Sequence, residues 1–276
     1  MQSKRTFSLE RLSLGREADL AVQQLCSGLT ALGKADHTNV GLYTQAFFGL
    51  SIGIERTAKL ILIADYAIDN EGSLPKDEML KKIGHGLSAL LLKCEVISAK
   101  HRTGKEYWER PRDDIHKNVV VTLDTFARAS RYYNLDFITG QSRAEDQDPI
   151  KQWWLTVAEP ILNRHLPTAE RRRIRQIGEQ LGTALEGSVS ILHHQEDGTP
   201  ITDFFSYFIR GQETPTVQKF SRLYVLQIIR WLSYLIHDLS EYGGYNLRIE
   251  PIFGIYERYR IFMNSDSVFK NKGRWP

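Results

Sequence analysis

Along most of this chain apolar residues recur at three- and four-residue steps, the period of one face of an α-helix. The clearest run is YTQAFFGLSIGIERTAKLILIADYAID, about residues 43–69, where Phe47, Leu50, Ile54, Ala58 and Ile61 share a face. Leu60, Ile63 and Ala64 add apolar character elsewhere on that helix, so it is predicted to lie deep in a bundle. An earlier helix is predicted over about 16–32, stopped by Gly33. After Asn70-Glu71-Gly72-Ser73 and Pro75, a third runs from Lys76 into KCEVISAK. It is interrupted at Gly84-His85-Gly86, because each glycine costs about 1 kcal/mol relative to alanine inside a helix. HRTGKEYWERPRDD is polar and aperiodic and reads as a loop. Residues 115–133 return to helical spacing with Val119, Leu123, Phe126 and Ser130 on one face, although the β-branched Val119-Val120-Val121 would also suit a strand.

In the second half, Gly140–Asp148 reads as a linker, which divides the chain into residues 1–140 and 141–276; the two parts can still pack as one domain. Pro149 suits the first turn of a helix carrying Trp153 and Trp154. Thr168 is expected to cap a helix reaching about His193, with His193-His194-Gln195-Glu196-Asp197-Gly198 ending it. A short apolar element, DFFSYFIR, follows. Thr214-Pro215 then supplies a cap and first-turn proline for a long helix to about Glu241. Its apolar positions are Val217, Phe220, Tyr224, Ile228, Leu232 and Leu235, and Gly243-Gly244 is expected to terminate it. One more helix is expected after Pro251. With no alternation of strand and helix, the consistent fold class is all-α, a multi-helix bundle.

Composition narrows the setting. A chain of 276 residues with 42% hydrophobic and 25% charged content is an ordinary globular protein, long enough for a sizeable core. No apolar run approaches the roughly 20 residues that span a bilayer, and the basic start lacks the apolar stretch of a secretory signal. Cys26 and Cys94 make neither a disulfide framework nor a four-ligand zinc site. A reducing compartment, the cytoplasm, fits best, and neither metal nor cofactor is expected. The net charge of +3 is too small to imply nucleic-acid binding by itself. Its distribution says more: RHLPTAERRRIR gathers Arg164, His165, Arg171, Arg172, Arg173 and Arg175. This is either a solvated helix start or a patch in which Arg171, Arg172, Arg173 and Arg175 contact RNA phosphates through their guanidinium forks. Tyr132, Tyr133 and Asn134 could stack on or bond bases in an RNA groove, or anchor a helix end. His37, His101 and His165 sit in polar contexts and are expected at the surface.

No phosphate-binding glycine loop, HExxH or GxSxG occurs. Glu55 and Lys59 stand at i, i+4 on the second helix, a pair worth about 0.2–0.5 kcal/mol as plain surface chemistry. The stretch GIERTAKLILIADYAI, a gap containing a proline, and then GHGLSALL resembles the front half of HEPN domains, helical bundles with a glutamate–lysine phrase and a later H-x-L. Glu55, Lys59 and His85-Gly86-Leu87 match those features in order, over roughly residues 40–135. The resemblance implies a metal-independent endoribonuclease that works as a homodimer, with an arginine and a histidine that have four to six residues between them forming the catalytic motif. It also implies a role as a toxin or anti-phage defence protein, with RNA as substrate and an antitoxin or defence-system protein as possible partner. Carried onto this chain, the motif falls on Arg110 with His116, five residues between them; Pro111 replaces the usual polar residue, and Arg112 is closer to His116 than the family spacing allows. A second match is Arg230 with His237, six residues between them and on one helix face. Histidine can move the 2′-hydroxyl proton near neutral pH, and arginine can stabilise charge on the phosphate. The alternative is a non-catalytic helical module that binds a protein or a nucleotide.

Overall fold

The computed structural model describes residues 7–76, 78, 84–101, 109–130, 138–139 and 148–276. The 140–147 part of the expected linker, Tyr132, Tyr133 and Asn134, the first part of the third helix and residues 102–108 of the loop lie outside the described residues.

The protein is an all-α multi-helix bundle. Helix α1 spans Leu9–Leu32 and α2 spans Gly41–Asp69. α1 starts earlier than its apolar period indicates because the Ser8 hydroxyl caps it, accepting from the Arg11 amide at 3.2 Å. The two helices approach backbone to backbone. A Cβ on Gly28 would come within 2.8 Å of the Leu50 amide nitrogen, and one on Gly49 within 2.8 Å of the Gln24 carbonyl. No side chain fits at these crossings.

Gly84 takes a left-handed φ of 76° and Gly86 caps α3, Leu87–Lys100, so the two glycines form the helix-start turn that their spacing suggests. Helix α4, Asp114–Thr125, begins at the Asp113 cap and includes Val119-Val120-Val121; packing of Val119 and Val120 against the core overrides their strand preference. Helix α5, Pro149–Trp153, opens on the Asp148 cap with Pro149 in its first turn and runs through a wider π turn into α6, Glu159–His165.

Two boundaries differ from expectation. Helix α7 covers Thr168–Leu185 and stops well before His193, with Pro167, not Thr168, in the cap position. His193–His194 (β1) instead pairs antiparallel with Pro200–Ile201 (β2), around a turn made by Gly198 at φ 87°. Helix α8 is continuous from Phe204 to Glu241 and absorbs both DFFSYFIR and Pro215. Asp203 caps it through the Ser206 amide at 2.8 Å. Pro215 is tolerated mid-helix because it and Gly211 lie on the exposed side, where the carbonyl that loses its donor is hydrated. The α-helix ends at Glu241, as expected, and the backbone passes through Gly243 and Gly244 in a π turn over Tyr242–Asn246. A Cβ on Gly243 would lie 2.4 Å from Ile252 Cδ1, so close packing explains that glycine. Two 3-10 segments, Glu250–Ile252 and Ile255–Phe262, and helix α9, Asp266–Asn271, complete the chain.

Apolar residues from both halves enter one core. Trp153 is fully buried with its ring 5.2 Å from that of Phe47, and the Thr57 and Tyr259 hydroxyls meet at 3.1 Å. No helix is long and apolar enough to cross a membrane among the described residues.

Candidate functional site

The arginines and histidines of the two expected pairs each have partners of their own. Arg110 donates to Glu95 Oε1 on α3 at 3.4 Å, and Arg112 pairs with the same oxygen at 3.6 Å. His116, in the first turn of α4, faces α8 instead. It is buried, its Nε2 bonds Gln227 Oε1 at 2.7 Å, and its ring packs edge-on to Tyr224 at 4.8 Å. Gln227 in turn donates to Asp266 Oδ2 at 2.8 Å. Arg230 also reaches Asp266, at 2.8 Å, and the Asn264 carbonyl at 2.9 Å. His237 lies farther along α8, with Nδ1 3.0 Å from Asp238 and its ring edge-on to Tyr256. The structure thus links His116 with Arg230, members of different pairs, through Gln227 and Asp266. Both are built into the junction of α4, α8 and α9.

Burial holds the His116 imidazole below the usual histidine range, against the bond that its Nε2 donates to Gln227 Oε1 and the Asp113 charge, which favour the cation. A depressed folded-state value means that the unfolded chain takes up the proton first. The stability that this neutral ring contributes is therefore present above about pH 6.5 and lost as pH falls below it. His116→Gln should lose less melting temperature than the wild type between pH 7.5 and 5.5, as scanning calorimetry would read.

A second cluster joins α6 to α8. The Tyr224 hydroxyl accepts from Arg164 Nη1 at 2.9 Å and lies 3.0 Å from His165 Nε2. With the Arg164 proton donated to the oxygen, the hydroxyl's own proton points to His165. Arg164 also binds Asp113 at 2.6 Å, and the His165 ring stacks flat on Phe220 at 3.8 Å between centroids. His165 is held below its ordinary value, first by burial and then by the cations Arg164 and Lys270, so its ring is neutral near pH 7. Here a neutral imidazole and a half-exposed guanidinium share one hydroxyl. Sequence reasoning passed over the trio because Tyr224 occupies a core-facing period of α8 and His165 sits in a polar run. His165 is half-buried, not at the surface. His101 is likewise tied to Asp65 at 2.7 Å, and His37 is buried with its ring 6.2 Å from that of His193 and 5.5 Å from that of Tyr207.

Next to this trio, between α7 and the first turns of α8, lies a cleft of about 530 Å³. Arg171, Arg172 and Arg175 line it together with Phe205, Ile209 and Glu213. Arg173 turns toward Glu170 at 3.8 Å. Arg171 reaches back to Asn163, the residue before Arg164, at 3.1 Å, and Leu166, the residue after His165, lines the cleft. Under the cleft, Arg210 lies 3.4 Å from Glu196 and 3.6 Å from Glu213, bonds Gln195, and stacks 3.5 Å over Trp154. Burial raises the carboxyls of both Glu196 and Glu213, with Arg210 opposing.

No family model matches this chain, and neither a curated protein nor a solved structure gives a match. The residues that carry the HEPN resemblance do meet in space: Glu55 Oε1 lies 2.7 Å from Lys59 Nζ and 2.8 Å from His85 Nδ1. His85 is largely exposed. Among the described residues no cluster of histidine, cysteine, aspartate and glutamate could hold a metal ion.

Proposed function

We propose that this protein is a metal-independent endoribonuclease of the HEPN kind, with Arg164, His165 and Tyr224 at its centre and Arg171, Arg172 and Arg175 holding neighbouring phosphates. The observation that carries this reading is the convergence of Arg164 and His165 on the Tyr224 hydroxyl, at 2.9 and 3.0 Å, beside an arginine-lined cleft. A ribose 2′-hydroxyl gives its proton to the Tyr224 oxygen as Tyr224 passes its own to His165 Nε2, and the resulting ribose oxygen attacks the adjacent phosphorus. The bond to the 5′-oxygen breaks, and that oxygen leaves with a proton returned by the imidazolium. The product ends are a 2′,3′-cyclic phosphate and a 5′-hydroxyl. Arg164 offsets charge gathering on the phosphate oxygens, and Tyr224 holds both side chains in register. The resemblance supports a homodimer acting in the cytoplasm within a toxin or anti-phage system, opposed or assisted by a partner protein.

Cleavage of a labelled single-stranded RNA in the presence of EDTA tests the proposal. His165→Ala is expected to lose about 100-fold or more in rate. Equal cleavage by wild type and variant would remove His165 from the reaction. The second reading, RNA binding without chemistry, is favoured by the structural partners that occupy Arg110, Arg112, His116 and Arg230. On that reading the wild type binds but leaves RNA intact, and alanine at Arg171, Arg172 and Arg175 together flattens the salt dependence of binding by about two units of slope.

A further inference from the structure

The arginine cleft has a wall and a floor as well as a charged rim. Phe205 forms the wall, pressed against the glycine face of α7: a Cβ on Gly178 would stand 3.1 Å from its Cδ2 and one on Gly182 3.4 Å from its Cβ. The ring is thereby fixed, with Ile174 and Ile209 beside it. At the floor Glu213 presents its carboxyl, held from one side by Arg210 at 3.6 Å. Gln195 also lines the cleft, and because Arg210 donates to its Oε1, its NH2 group remains as a donor. Arg172 has no carboxylate partner among the described residues. A volume of about 530 Å³ matches a ligand of mononucleotide size.

We infer that this cleft binds a guanosine phosphate unit: the base against Phe205, its N1–H and 2-amino group on Glu213, its O6 on the Gln195 amide, and the phosphate on Arg172 and Arg175. An ionised carboxylate only accepts, and guanine presents two adjacent donors to it. Adenine would turn its N1 lone pair toward the same oxygens. A flat aromatic wall receives any base by stacking, so the choice among bases falls to Glu213. This deepens the ribonuclease reading and rests on it only for how a longer strand continues toward Arg164 and His165. The unit could come from RNA or from a free nucleotide.

Calorimetric titration of the full chain with GMP, AMP, IMP and guanosine tests the inference. GMP should saturate the site, with AMP and IMP (which lacks the 2-amino group) at least about tenfold weaker. Glu213→Gln should bring GMP and AMP to within about threefold, and Arg172→Ala should weaken GMP but not guanosine. If Glu213→Gln melts far below the wild type, the wild-type series of GMP, IMP and AMP decides alone. No saturable GMP binding, or AMP binding as tightly as GMP, overturns the inference. Tighter binding of UUGUU than of GMP assigns the unit to RNA, and the reverse order assigns it to a free nucleotide. Wild-type cleavage of RNA without GMP binding sinks only this inference. GMP binding without cleavage sinks only the nuclease proposal.

Discussion

Trp153→Ala is expected to destabilise the protein by about 3–5 kcal/mol, the range for deleting a large aromatic from a closed core. Trp153 is fully buried at the start of the C-terminal half, and its ring packs on Phe47 of α2, which itself packs on Phe126 at 5.6 Å. Removing the indole therefore opens a cavity where three segments meet, and none of them can collapse inward without losing its other contacts. Trp153→Phe is the control. The indole N–H is buried with no acceptor among the described residues, so replacing it removes an unsatisfied donor while keeping most of the ring volume. Urea denaturation should show the alanine variant far below the phenylalanine one, with similar slopes. Equal midpoints would mean that the site relaxes freely.

Arg210→Ala is expected to cost a comparable amount, about 3–5 kcal/mol, through electrostatics. Its guanidinium is buried between Glu196 and Glu213 and over the Trp154 ring, and Tyr43 donates to Glu196 at 3.2 Å. Without Arg210 the buried Glu196 carboxyl and the half-buried Glu213 carboxyl lose their shared counter-charge. Because burial already raises both above the ordinary glutamate value, the folded state takes up their protons more readily than the unfolded chain does. A raised folded-state value contributes stability at low pH that is lost as pH rises through it. The variant should therefore be least impaired near pH 5 and most impaired at pH 8. Glu196→Gln added to Arg210→Ala should recover part of the loss. A deficit independent of pH would show that lost packing on Trp154, not charge, is what the variant reports.

What the sequence could reveal followed the range of each signal. Helices α1 and α2 were legible because periodicity and stop residues act within one or two turns. The Gly84–Gly86 turn was legible for the same reason. Pro215 was read as a helix start because a proline and a preceding threonine favour that locally. Only the exposed side on which it falls explains a continuous α8. His193-His194 was read as a helix end, whereas the Gly198 turn pulls it into a hairpin. At the candidate site the arginine run was visible as composition. The joining of His165 to Tyr224 spans 59 positions and leaves no local trace. His116 and Arg230 carried spacing that suggested chemistry, yet the contact that unites them passes through Gln227 and Asp266, which spacing cannot show.

The backbone-to-backbone crossing of α1 and α2 carries a mechanical consequence. Helices separated by side chains can slide past one another as rotamers adjust. At Gly28 and Gly49 no rotamer intervenes, so main chain rests on main chain. Shear between the two is blocked, and any displacement of Glu55 and Lys59 must carry α1 with it as one lever.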